Sequence, residues 1–145
     1  MLRGNAPARI DEKGRLKIPS VYRGDIQDSW GSDFYVTSIT GQSVRVYPLQ
    51  VWQEIEDRLA KIPSFDPTKI KFLDRTNYYG QLASMDKQGR ILIPPVLRKS
   101  AKMDGEVAVL GNLDYLEVFD NERFLDRLGE LTEQDLKDIS TELGV

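Results

Sequence analysis

Apolar residues in this chain fall in short alternating runs and in stretches of helical spacing, and the two kinds take turns. Phe34-Tyr35-Val36-Thr37 and Ser43-Val44-Arg45-Val46-Tyr47 alternate on either side of a turn containing Gly41, which predicts two half-buried strands. Val51 to Leu59 follows, with Trp52, Ile55 and Leu59 on one helical face. The order then recurs. Val107-Ala108-Val109-Leu110 and Tyr115-Leu116-Glu117-Val118-Phe119 predict two strands turning at Gly111-Asn112, ahead of a helix carrying Phe124, Leu125 and Leu128.

A closer repeat lies upstream of each strand pair. Ile10-Asp11-Glu12-Lys13-Gly14-Arg15-Leu16-Lys17-Ile18-Pro19-Ser20-Val21-Tyr22-Arg23 returns as Met85-Asp86-Lys87-Gln88-Gly89-Arg90-Ile91-Leu92-Ile93-Pro94-Pro95-Val96-Leu97-Arg98. The chain is therefore two copies of one unit: strand, turn, strand, short helix, then strand, turn, strand, helix. Residues 1–62 form the first repeat and 78–130 the second, with a linker and connecting helix over 63–77 and an acidic helix over 131–145. Asp66 is placed to cap the connecting helix, with Pro67 at its first position. Thr132-Glu133-Gln134-Asp135 resembles a capping box that starts the last helix, whose apolar stripe is Leu136, Ile139 and Leu143. Each repeat has too few large apolar residues to bury a core alone, so the two are expected to pack as a pseudo-twofold pair. Trp52, Phe65, Phe72, Tyr78 and Tyr79 are expected in the core or in contacts between subunits.

The repeated Asp-x-x-Gly-Arg turn has a physical logic. A type I turn favours Asp first and Gly fourth, and Gly accepts the positive φ of a closing bulge. Asp11, Gly14, Asp86 and Gly89 are thus turn-forming, and the residues displayed are Lys13, Arg15, Lys87 and Arg90. Two readings stay open. The arginines fold back onto Asp11 and Asp86, or the aspartates steady them while part of each guanidinium remains free for phosphate or guanine.

Charge sharpens the second reading. The 145 residues carry 20 basic and 23 acidic side chains, a net −3, but residues 1–24 hold six basic against two acidic and residues 104–145 three against twelve. The acidic average hides a basic N-terminal stretch suited to phosphate. The chain has no His and no Cys. That excludes Ser-His-Asp chemistry, thiolate nucleophiles and zinc-thiolate sites, so no catalytic residue, cofactor or metal is expected. Asp11 and Asp86 as an acid/base pair of a hydrolase is the remaining enzymatic reading, and the turn accounts for both without it. No apolar run reaches the ~18 residues of a membrane span, and the N-terminus lacks a signal-like apolar stretch, so a cytoplasmic protein without a membrane partner is expected.

Arg3-Gly4, the two turns Asp11-x-Lys13-Gly14-Arg15-x-x-Ile18-Pro19 and Asp86-Lys87-x-Gly89-Arg90-x-x-Ile93-Pro94, and Tyr47-Pro48-Leu49-x-x-Trp52 between them resemble the MraZ family from the N-terminus to about residue 130. The resemblance implies an α+β fold of two tandem AbrB-like swapped-hairpin half-domains, forming one pseudo-twofold, double-psi-like β-barrel with flanking helices. It implies a bacterial transcriptional regulator, associated with the nucleoid, that assembles into rings. Such proteins bind double-stranded DNA at short tandem promoter repeats upstream of the division and cell-wall gene cluster, including their own gene. The family's DNA-contacting arginine falls on Arg15 and Arg90, and Arg3, Lys13 and Lys87 join them by position and charge. The alternative is an oligomeric assembly or adaptor protein that binds no DNA. The acidic end beyond residue 130 has no clear counterpart in the resemblance.

Overall fold

A computed structural model describes all of residues 1–145. The elements follow in the order β1 (Leu2–Ile10), β2 (Arg15–Lys17), α1 (Ser20–Trp30), β3 (Asp33–Thr37), β4 (Val44–Pro48), α2 (Leu49–Ala60) and α3 (Pro67–Tyr78). The second half runs β5 (Gln81–Ser84), β6 (Arg90–Leu92), α4 (Pro95–Ser100), β7 (Gly105–Leu113), β8 (Leu116–Asp120), α5 (Asn121–Leu128) and α6 (Glu133–Leu143).

The eight strands form one antiparallel sheet in the order β5-β3-β4-β8-β7-β1-β2-β6. Its two ends are the arms of one hairpin, joined through the turn at 85–89, where the Asp86 N–H donates to the Arg90 carbonyl at 2.9 Å. The sheet thus curls into a nearly closed barrel, and the fold is α+β. The repeats exchange their opening hairpins. β1 lies along β7 and β2 along β6, while β5 lies along β3. A β1–β2 hairpin alone has a single register pair, Ile10 with Leu16, and cannot stand by itself. Each hairpin therefore finds its main partner in the other repeat.

Two seams mark the pseudo-twofold. At one, Arg15 faces Leu92, Leu16 faces Ile91 and Lys17 faces Arg90. At the other, Val44 faces Val118, Arg45 faces Glu117 and Val46 faces Leu116. Period-2 alternation sends Leu16, Ile18, Val36, Val44, Val46, Ile91, Ile93, Val109 and Val118 inward, where each is fully buried. Arg45 and Glu117 consequently point outward. Glu117 is nevertheless buried, because the Ser43 hydroxyl donates to it at 2.7 Å and Arg45 and Arg127 approach at 3.6 and 3.5 Å.

An aromatic layer holds α2 against the outside of the barrel. Tyr47 stacks on Tyr115 at 4.8 Å, and Trp52 stacks on Tyr35 at 4.8 Å and on Phe72 at 6.5 Å. Pro48 ends β4 and immediately precedes α2, which accounts for the Tyr-Pro-Leu-x-x-Trp spacing. Asp66 caps α3 by accepting from the Lys69 N–H, with Pro67 at the first position, and Thr132 and Asp135 complete a reciprocal capping box on α6. No helix is long and apolar enough to cross a membrane.

One expectation needs correction. The predicted turn at Gly111-Asn112 is displaced: Gly111 is strand, paired with Gly4 of β1, and the chain turns over Asn112–Tyr115, where the Asn112 N–H donates to the Tyr115 carbonyl at 2.9 Å and Leu113 has φ of +70°. Of the aromatics expected in the core or in contacts between subunits, Phe65 and Tyr78 lie outside the core, 92% and 68% exposed, because the connecting segment runs over the surface, which leaves them the subunit alternative. The α6 stripe of Leu136, Ile139 and Leu143 is exposed to solvent in the chain.

Because neither half owns a complete sheet, both should unfold together. Urea denaturation followed by tryptophan fluorescence, which reports Trp30 and Trp52 of the first repeat, should coincide with far-UV circular dichroism, which reports both repeats. Leu16→Ala, at the central seam, should shift both curves by about 2–5 kcal/mol. Two separated transitions would show that the repeats fold independently.

Candidate nucleic-acid interface

The two turns are built alike to within tenths of an ångström. In the first, the Gly14 N–H donates to the Asp11 carbonyl at 2.9 Å, and one Asp11 carboxylate oxygen accepts from the backbone N–H groups of Lys13 and Arg15 at 3.0 and 2.9 Å. The other carboxylate oxygen accepts from Arg15 Nε at 2.8 Å. In the second, Gly89 donates to the Asp86 carbonyl at 3.0 Å, Gln88 and Arg90 donate to one oxygen at 2.9 Å each, and Arg90 Nε donates to the other at 3.0 Å. Gly14 and Gly89 have φ of +81° and +78°, the left-handed region that a side chain would disfavour.

Both readings of the arginines therefore hold at once. Each aspartate grips its arginine by Nε only, and the two terminal nitrogens of each guanidinium make no hydrogen bond within the chain. The Arg15 and Arg90 side chains are about a quarter to a third exposed. The result is a cation steadied at its stem with its outer donors free, the form suited to a phosphate or a guanine edge.

The seam between β2 and β6 brings the two arginines together. Arg15, Lys17, Arg90 and Leu92 share the face opposite to the buried Leu16 and Ile91. Arg90 lies directly across from Lys17, two residues along from Arg15, which puts the Arg15 and Arg90 Cα atoms at roughly 8 Å from strand spacing and rise. Lys13 and Lys87 are exposed at the turn tips that flank this face. Arg3 is not part of it. It sits opposite Asn112 near the far end of β1, up to ~26 Å of strand away from Asp11.

Three basic residues of this region escape a reading by turn chemistry alone. Lys17 shares the outward face with Arg15, and its signal was the alternation Arg15-Leu16-Lys17. Arg23 and Arg98 pack against the turns, each against the turn of the other repeat. Their signal was their identity in the two repeats.

Each Asp carboxylate accepts three N–H groups, which favours the ionised form, and the pKa values of both are lowered below the ordinary value. Backbone donation from Arg15 or Arg90 is the leading cause, with the guanidinium adding to it. Neither is suited to serve as a general acid near neutrality. A group with a depressed folded pKa stabilises the fold above the ordinary carboxylate range, ~3.9 for Asp, and that contribution is lost as pH falls through the lower folded value. An NMR titration of the side-chain carboxyl carbons should place the Asp11 and Asp86 midpoints below that of an unstructured Asp. Asp11→Asn should remove the pH-dependent contribution of the first turn and leave that of the second.

A family profile described as "MraZ protein, putative antitoxin-like" matches residues 1–75 and 81–143. The match reaches into α6, so the acidic end beyond residue 130 does have a family counterpart. A protein of Acidobacterium capsulatum named "Transcriptional regulator MraZ" is 52% identical over 124 residues, covering 86% of this chain and 85% of its own. Another of that name, from Koribacter versatilis, is 45% identical over 148 residues and covers both chains fully. A third, from Thiobacillus denitrificans, is 33% identical over 86% of this chain and 84% of its own. Residue by residue and over nearly its whole length, this chain belongs to the MraZ family.

Proposed function

We propose that this protein regulates transcription by binding double-stranded DNA through the outward face of the β2–β6 seam. The observation that carries the reading is the pair Arg15 and Arg90, each held by an aspartate through Nε and each with its terminal nitrogens free, with Lys17 between them. A two-stranded ribbon has the width to enter a major groove, where a guanidinium reads guanine by two parallel hydrogen bonds. Lys13, Lys17 and Lys87 meet phosphates around that contact. Arg3, remote from the seam, meets phosphate only if the DNA extends along β1.

The relatives' name supports regulation of transcription. From the family resemblance, the sites are tandem promoter repeats upstream of the division and cell-wall gene cluster, including the protein's own gene, and the protein acts in the cytoplasm at the nucleoid. A ring-like homo-oligomer places several copies of the seam along one duplex. The exposed apolar side chains of Phe65, Leu125, Leu128 and Leu136 offer surface for those subunit contacts. Each seam then binds weakly and the assembly binds tightly, with sites recurring near the ~10 bp helical period.

Fluorescence anisotropy with the DNA upstream of the protein's own gene tests this. Arg15→Ala and Arg90→Ala should each weaken binding by about 5- to 150-fold, and Lys17→Ala should weaken it evenly across sequences while reducing the salt slope by about one per copy engaged. If the parent protein binds no DNA and Arg15→Ala instead changes the oligomer mass in light scattering, the protein is an assembly factor and the turns are subunit contacts.

A further inference from the structure

We infer that Arg23 and Arg98 are crosswise positioning residues, each holding the DNA-contacting turn of the opposite repeat in its binding shape. The inference rests on the reading of the turns as the DNA-contacting elements. Arg98, on α4 of the second repeat, lies so close over Gly14 that a methyl group added there would collide with its guanidinium. Arg23, on α1 of the first repeat, lies over Gly89 in the same way. Gly14 and Gly89 are buried although they belong to surface turns. The positive φ favours glycine at these positions, and the missing side chain leaves the space that the guanidinium occupies.

The attachment to the opposite repeat is also made through backbone. The Ile93 N–H donates to the Gly14 carbonyl at 3.0 Å, directly ahead of the helix that carries Arg98. The Ile18 N–H donates to the Gly89 carbonyl at 2.8 Å, directly ahead of the helix that carries Arg23. Arg23 is anchored by a terminal nitrogen donating to the Ile18 carbonyl at 2.9 Å. Nε of both residues is buried with no hydrogen-bond partner. The flat, weakly hydrated guanidinium lies over the glycine of a turn, where a flexible ammonium would not form the same floor. Each turn is therefore gripped from its own repeat by aspartate and floored from the other repeat by arginine. One half of the molecule sets the geometry with which the other half meets DNA.

The test pairs amide hydrogen exchange without DNA and a binding cycle with it. Arg98→Met should speed exchange at Gly14 and Arg15 by tenfold or more while leaving Gly89 and Arg90 nearly unchanged, and Arg23→Met should do the converse. In anisotropy with the upstream DNA, Arg98→Met should cost about 5- to 10-fold, and should cost nothing further in an Arg15→Ala background. Combined with Arg90→Ala the two losses should multiply. Arg98→Lys keeps the charge and the aliphatic stem, so it provides a folded variant if Arg98→Met unfolds, and it should fail to restore slow exchange at Gly14. Equal acceleration at both turns, no acceleration at either, or full multiplication with Arg15→Ala would overturn the inference. If Arg15→Ala and Arg90→Ala bind DNA like the parent, the DNA reading fails, and the exchange measurement still decides whether the arginines hold the turns.

Discussion

The antiparallel seam between β2 and β6 is the constraint on which the other features depend. It is only three residues long, yet it is where the two repeats meet at the pseudo-twofold, with Leu16 opposite Ile91 and both buried. The pleat of those strands sends the side chains on either side of Leu16 and Ile91 outward, so burying the central pair obliges Arg15, Lys17 and Arg90 to face solvent. Slipping the seam by one residue would bury the cations and expose the core. Stability and the candidate interface are thus fixed by the same register.

The turns add a second constraint of a different kind. Asp11 and Asp86 satisfy the backbone N–H groups that a tight turn leaves without partners, and the same carboxylates hold Arg15 and Arg90 by Nε. An arginine fixed at its stem loses less freedom when it meets a ligand, which favours binding through preorganisation rather than through added contacts. The exposed pair Arg9–Glu106, at 3.3 Å and over 70% solvent-accessible on both sides, shows the contrast: it is an ion pair with little structural consequence.

Much of this was legible along the chain. The duplication located both turns, the alternating runs located the strands of each pair, and Asp66-Pro67 and Thr132-x-x-Asp135 marked two helix starts, because each is a local pattern with a local cause. The turn at Gly111-Asn112 was misplaced for a non-local reason: glycine reads as a turn until another strand, here the start of β1, arrives to pair with it. Phe65 and Tyr78 could be read only as core or subunit contacts, because aromatic character is local while burial is not. Arg3 read as part of the site because proximity in sequence says nothing about which end of a nine-residue strand a side chain occupies.

The sequence by itself determined the two-fold repetition, the shape of each turn, the identity of the aspartate-held arginines and the absence of His and Cys chemistry. All of these follow from interactions spanning a few residues or from composition. Only the tertiary structure decided which strands pair in the hairpin exchange that the family resemblance implied, that Arg15 and Arg90 share one face with Lys17, and that Arg23 and Arg98 each pack against the opposite turn. Those relations join residues about 75 positions apart in sequence. The pairing of β2 with β6 and the closure of the barrel bring them together, and no local propensity encodes that step.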